Sequence, residues 1–172
     1  MQDETIIRLF PNLRRSWSQQ GIQAEVGVSG RNAQRTLSCA MNLRTGAIVA
    51  QVQQRNNQQG FQTLLWAVRR RYKALPVYML LDGFSAHRAK ATIRLASQLS
   101  ITLIELPKQC PELNAVDHLW RHVKADISAN CQYPSIDNHA KAALQYVKDL
   151  SPKQRLTKAA VYANSFWLKN IL

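Results

Sequence analysis

Three carboxylates carry the chemistry this sequence suggests. Asp3 lies at its start, Asp82 ends the apolar run Val77-Tyr-Met-Leu-Leu-Asp82, and Asp117 sits in Leu113-Asn-Ala-Val-Asp117-His-Leu-Trp120. Magnesium prefers hard oxygen ligands and keeps several waters, so one or two carboxylates plus substrate phosphates suffice for each ion. Two such ions about 3.5–4 Å apart can activate an attacking oxygen and stabilise a leaving one. The chain around these acids is basic, with 23 Lys and Arg against 10 Asp and Glu and a formal net charge of +13. A field of that sign attracts polyanions and accelerates encounter with them. Scarce acids at positions suited to one cluster, in a cationic chain, point to Mg²⁺ or Mn²⁺, two ions in all, working on a phosphodiester backbone.

Each acid also has a plainer explanation. Asp117 precedes Arg121 by one helical turn, the spacing of a surface ion pair. Asp3 could be a solvated residue near a terminus. The positive charge alone suits a protein that merely stays soluble or binds RNA without specificity.

The acids need elements to position them. Met1–Ile7 reads as the end of a first strand. Thr36–Met41 and Ala47–Gln53 flank Asn42-Leu-Arg-Thr-Gly46, whose Asn and Gly suit a tight hairpin connection. Gly21–Gly30 reads as an extended segment. Phe61, Leu64, Leu65, Val68 and Tyr72 recur with helical spacing, so roughly Gln58–Tyr72 is an amphipathic helix. Its cationic end, Arg69-Arg-Arg-Tyr-Lys73, suits a helix C-terminus better than direct DNA contact. Val77–Leu81, short and continuously apolar, is expected to be a central buried strand. A helix over Ala86–Ser100, with Ala89, Ile93, Ala96 and Leu99 inward, leads to a strand over Ile101–Leu106, parallel to the previous one. Leu113–Ala129 reads as a helix with Leu113, Val116, Trp120, Val123 and Ile127 on one face. Asp117 lies about 80° from the centre of that stripe, at the rim of the buried face. Ser135 caps a further helix carrying Ala140, Leu144 and Val147, and a short C-terminal helix holds Phe166 and Trp167. Three strands, helix, strand, helix, strand, then helices give an α/β ribonuclease H-like fold: a mixed sheet of about five strands flanked by helices. A carboxylate ending a central strand faces the cleft where such sheets bind ligands, and Gly83 after it permits close approach.

The bulk properties bound the rest. Hydrophobic residues make up 46% of 172, enough for a single domain, 1–172, with one core. No apolar run has the length of a membrane span, and Met-Gln-Asp-Glu does not read as a signal peptide, so no membrane partner and a cytoplasmic location are expected. Cys39, Cys110 and Cys131 are odd in number and form no CxxC pair, against disulfides or zinc. No His and Asn partners accompany Cys110 as they would a nucleophile.

Together these motifs resemble the catalytic domain of the DDE transposases, in the bacterial insertion-sequence branch related to mariner elements. Asp3-Glu-Thr5 resembles the first catalytic block, and Leu13-Arg-Arg-Ser-Trp17 with Gly21 the residues after it. Ala40-Met-Asn-Leu-Arg-Thr-Gly46 matches the family hairpin. Leu81-Asp-Gly-Phe-Ser-Ala-His87 resembles the second block. Leu106-Pro-Lys-Gln-Cys-Pro-Glu-Leu-Asn114 with Asp117-His-Leu-Trp120 resembles the third. Gly83 and Ala115 stand where the family commonly has Asn and Pro, and many bacterial relatives have Glu at the third acid.

The resemblance implies that Asp3, Asp82 and Asp117 are the catalytic metal ligands, supported by Glu4, His87 and Asn114. His87 would steady the site or touch a phosphate; a structural histidine at a helix start is the alternative. Lys90, Arg94, Lys108 and Lys124 are expected phosphate contacts from their nearness to the acids in sequence. DNA, as element ends and target, is the expected partner, with a homodimer in the DNA complex and residence at the bacterial nucleoid. The helix-turn-helix region and most of the first strand are expected to lie outside these residues, the former on a separate polypeptide. The expected function is metal-dependent DNA cleavage and strand transfer. A catalytically inactive DNA-binding or interaction module of the same fold is the alternative, and a ribonuclease H-like enzyme acting on RNA a third.

Overall fold

The computed structural model describes residues 1–170. Its first three strands, β1 (Gln2–Arg8), β2 (Gln34–Met41) and β3 (Ile48–Gln53), form an antiparallel sheet in that order. Asp3 pairs with Cys39, and Cys39 in turn with Ala50. Period-two alternation divides β2 between two apolar layers. Cys39 and Met41 join Ile7, Val116, Trp120 and Val147 on one side, while Ala40 packs against Phe61, Leu64, Met79 and Ala96 on the other.

The β2–β3 hairpin turns as its Asn and Gly lead one to expect. Asn42 Oδ1 accepts the backbone N–H groups of Arg44 and Thr45 at 2.9 and 3.0 Å. Gly46 has φ +69°, and a Cβ there would come within 2.3 Å of the Pro152 carbonyl oxygen. Only glycine meets both conditions.

Helix α1 (Gln58–Arg71) follows, capped by Asn57, whose side chain accepts from Gly60 N–H. Its basic end serves the backbone: Arg69 donates to the carbonyls of Tyr72, Leu75 and Ser100 at 2.7–3.0 Å. β4 (Val77–Leu81) and β5 (Ile101–Glu105) pair in parallel, Val77 opposite Ile101. The expected five strands are present, divided into a three-stranded and a two-stranded sheet. β4 is less buried than its apolar run suggests: Met79 and Leu81 are enclosed, but Tyr78 is 65% exposed.

Three expected helices differ in detail. The one after β4 is broken at Ala89, which has ψ 134°, into α2 (Ser85–Arg88) and α3 (Lys90–Gln98). The break rephases α3, so Ile93 is 54% exposed and Thr92 turns inward, its hydroxyl donating to the Ala86 carbonyl. The helix over 113–129 is a 3₁₀ turn (Pro111–Leu113), α4 (Ala115–Val123) and a π-helical turn (Lys124–Ser128). Its core face survives the division, with Val116, Leu119, Trp120 and Val123 buried. Ser135 does cap α5 (Ile136–Asp149), and α6 (Pro152–Lys158) opens with a capping box from Ser151 and Gln154. Phe166 and Trp167 lie in turns beyond α6, not in a helix.

The long connection between β1 and β2 contains no strand over Gly21–Gly30. It is tied down near its start, where Asn12 bridges to Ala129 and the Asn130 side chain grips the Arg14 backbone at 2.8 and 2.9 Å. Beyond that point Trp17, Ile22 and Val28 are exposed.

Candidate active site

Asp3 is contributed by β1, Asp82 by the residue after β4, and Asp117 by the first turn of α4. All three line one cavity of about 420 Å³, with Gly83, Lys108, Cys110 and Asn114 among the other walls. Asn114 ties two of these elements together. Its Nδ2 donates to the Gln2 carbonyl at 3.1 Å and its Oδ1 accepts from Val116 N–H at 3.1 Å, so one residue caps α4 and fixes it to β1.

On the β4 side the carboxylate is held by a buried histidine. His87, 2% exposed, turns Nδ1 to Asp82 Oδ1 at 3.1 Å and to the Asp82 carbonyl at 3.2 Å. Its Nε2 meets Glu4 Oε1 at 3.3 Å, and Phe61 and Phe84 enclose the ring. Burial alone would push this imidazole down; hydrogen bonds to Asp82 and Glu4 outweigh it and hold the pKa at about 9. His87 is therefore an enclosed cation between two acids, and it has no surface with which to touch a phosphate. Its hydrogen bond, aided by the Phe84 N–H at 3.0 Å, keeps Asp82 below the usual carboxylate range.

Asp3 shifts the other way. Burial, then the neighbouring charges of Glu4, Asp82 and Asp117, raise its pKa to about 7, against a backbone hydrogen bond that lowers it. Asp117 is half-exposed and engaged by Arg121, whose Nη2 and Nε donate to Oδ2 at 2.8 and 3.1 Å. The helical ion pair foreseen from the spacing is formed.

Three carboxylates at one cleft, one of them protonatable near neutrality chiefly because it is buried, are chemically suited to a divalent cation. As the side chains stand, no three of the described His, Cys, Asp and Glu residues form a cluster close enough to hold one.

Of the cations expected to meet phosphates, Lys108 lines this cavity. Lys124 lines a larger neighbouring groove of about 1040 Å³, together with Glu4, Arg8, Phe10 and Arg31. Lys90 and Arg94 are exposed on α3 and border neither. Arg31 is far in sequence from all three acids, and Arg8, five positions after Asp3, was not singled out although it lies on the same strand. The Glu4–His87 contact was missed too; strand alternation, which sends Glu4 to the face opposite Asp3, was the available signal.

The profile of the DDE superfamily endonucleases matches residues 1–139. The chain belongs to that family. A 39 kDa protein of insertion element IS630 from Shigella sonnei, itself uncharacterised, is 25% identical over 153 residues, spanning 88% of this chain and 45% of that protein. The Mos1 transposase paired-end complex with left transposon end superposes with a TM-score of 0.71 at 18% identity, over 92% of this chain and 50% of that one. The Mos1 mariner paired-end complex with Mn gives 0.70 at 19%, again over 92% and 50%. These likenesses establish the ribonuclease H-like fold, and the chain spans about half the length of the relatives it matches. No helix among the described residues is long and apolar enough to cross a membrane.

Proposed function

We propose that this chain carries the metal-dependent catalytic site of a DNA transposase. The observation that supports it most is that Asp3, Asp82 and Asp117, from three separate elements, line a single cavity in a chain of net charge +13. Membership of the DDE endonucleases and similarity to an insertion-element protein and a mariner transposase favour transposition over other phosphoryl chemistry. In cleavage, a water oxygen attacks phosphorus at the element end and the bond to the 3′ oxygen breaks, leaving a 3′-hydroxyl. In joining, that hydroxyl attacks a phosphorus of target DNA and displaces the target's own 3′ oxygen.

Asp3, Asp82 and Asp117 would hold the Mg²⁺ or Mn²⁺, two ions in the full site. Held there, they would supply polarisation of the attacking and leaving oxygens. The chain's own residues do the rest. His87 keeps Asp82 ionised and aimed, Glu4 balances the charge of His87, and Asn114 fixes α4 to β1. Lys108 meets a phosphate at the cleft, while Arg8, Arg31 and Lys124 guide the strand along the adjoining groove. Lys90 and Arg94, away from both, would contact DNA only at its flank.

Residues 1–172 act as one domain in this reading, since the same strands face both apolar layers. A neighbour solved as a paired-end complex favours a homodimer on nucleoid DNA. A second reading, an inactive DNA-binding module, is favoured by Arg121, which occupies the carboxylate that α4 would offer a metal.

Nicking of supercoiled DNA with Mn²⁺ tests the proposal. Cleavage by the protein and its loss in Asp82→Asn support it; equal cleavage by both contradicts it. Undiminished DNA retention with no nicking and no Mn²⁺ binding would establish the second reading instead.

A further inference from the structure

From Glu4 onward, β1 and the two residues after it alternate without a break. Thr5, Ile7 and Leu9 are buried, whereas Ile6, Arg8 and Phe10 are exposed, Phe10 by half. Glu4, Ile6, Arg8 and Phe10 therefore share one face, and all four line the groove of about 1040 Å³ beside the acidic cleft. Glu4 is a wall of the cleft as well. The row thus begins at the catalytic acids and leads away from them. Lys124 from the π-helical turn and Arg31 from the β1–β2 connection line the same groove.

The row has a length scale. Alternate side chains of an extended strand stand about 6.6 Å apart, two rises of about 3.3 Å each. Each strand of a DNA duplex advances by about 3.4 Å per nucleotide. The exposed side chains therefore keep step with a DNA strand drawn out to roughly twice its duplex rise, which unstacks its bases.

The residue types agree with that spacing. A half-exposed ring among guanidinium and ammonium groups offers a face to a base and charge to the phosphates on either side of it. A base inside a duplex presents only its edges to a groove, so the face of such a ring serves a base that has left its stack. Glu4, the acid among the described lining residues, is engaged by His87. The field along the groove is accordingly positive.

We propose that this groove binds a single unpaired DNA strand, with its phosphates on Arg8, Arg31 and Lys124 and one base stacked on Phe10. The strand follows the Glu4–Phe10 row into the acidic cleft. Resting on the transposase reading, this narrows the substrate to DNA that is unpaired beside the scissile phosphate.

Binding is measured without divalent metal, by fluorescence anisotropy, on a single-stranded oligonucleotide carrying a fluorescent adenine analogue and on a duplex of the same length. The protein prefers the single strand and quenches the analogue. Phe10→Leu keeps an apolar side chain but removes the ring. Its single-strand affinity falls about tenfold and the quenching disappears, while duplex affinity and melting temperature do not change. Phe10→Trp restores both lost properties. Arg8→Ala weakens binding of both forms and lowers the salt slope for the single strand by about 0.7. Equal affinity for the two forms overturns the proposal, as does a Phe10→Leu variant that affects both equally or neither. So does self-association that Phe10→Leu abolishes while single-strand binding persists, which would give the ring to a second copy. Single-strand binding with no Mn²⁺-dependent nicking refutes the catalytic reading and leaves the strand site standing, whereas nicking by a protein without the single-strand preference refutes the strand site alone.

Discussion

The two walls of the acidic cleft are built differently. On the β4 wall, Asp82 is tied by His87 and the Phe84 N–H, and His87 is tied in turn by Glu4 and packed against two aromatic rings. On the α4 wall, Asp117 is no more exposed than Asp82, but its partner is the exposed Arg121 instead of a buried histidine. His87 and Glu4 are enclosed, and leaving either unpaired costs several kcal/mol, so Asp82, itself 54% exposed, is held from behind in few arrangements. An exposed pair in water is worth at most about 1 kcal/mol and exchanges readily. One wall is therefore fixed before any cation arrives, and the other can turn from Arg121 to a metal at little cost.

The largest expected effect is on chemistry. Asp82→Asn removes the fixed ligand and lowers Mn²⁺-dependent cleavage by about a thousandfold or more, at unchanged DNA retention, read in a nicking assay beside a filter-binding assay. If the activity survived, the fixed wall would not be a catalytic wall.

Next comes pH. Asp3 has its pKa raised to about 7, so below that value a proton must leave before a cation binds. Mn²⁺ affinity should weaken about tenfold per pH unit as pH falls below 7 and level off above it, measured by calorimetry. The same shift has a structural consequence with the opposite slope. The folded state binds the Asp3 proton more tightly than the unfolded state, so its contribution to metal-free stability declines between about pH 4 and 7.

His87→Ala breaks the fixed wall mechanically. It leaves Glu4 buried without its counter-charge and should destabilise the protein by about 3 kcal/mol at pH 6 in urea melts. Because the His87 pKa is raised from 6.5 to about 9, the interaction is fully present below 6.5 and lost as pH rises through 9. The gap between wild type and variant should close over that range. A constant gap would mean that packing, not charge, holds the imidazole.

The smallest effect sharpens the contrast. Arg121→Ala should change stability by no more than about 0.5 kcal/mol. It should tighten Mn²⁺ binding roughly threefold by freeing Asp117. Loss of metal affinity in this variant would show that the arginine positions the carboxylate instead of occupying it.

Much of this architecture was legible in the sequence because it follows from local periodicity. The alternation of β2, the helical spacing of α1, the Asn–Gly hairpin and the Ser135 cap each appear where residue chemistry puts them. The break at Ala89 was not legible: neither Gly nor Pro marks it, and the apolar pattern runs through. The 3₁₀ and π turns flanking α4 were equally silent, since Leu113 to Ile127 keep one helical stripe across both. Within the site, the three acids could be named from motif and spacing. A steadying role for His87 was among the readings the motif offered, but its pairing with Glu4 was not legible, because the two are 83 positions apart and only the fold brings them together. Lys90 and Arg94 show the converse: near the acids in sequence, they border neither the acidic cleft nor the groove beside it.

Diffraction from crystals soaked in Mn²⁺, collected at the manganese edge, addresses the shared cleft most directly. Anomalous density should lie between the carboxylates of Asp3 and Asp82, within about 2.2 Å of an oxygen from each, with Asp117 turned away from Arg121 toward it. Density confined to other acids, or a cleft that stays empty at saturating Mn²⁺ while Asp117 keeps its arginine, would contradict a common metal site.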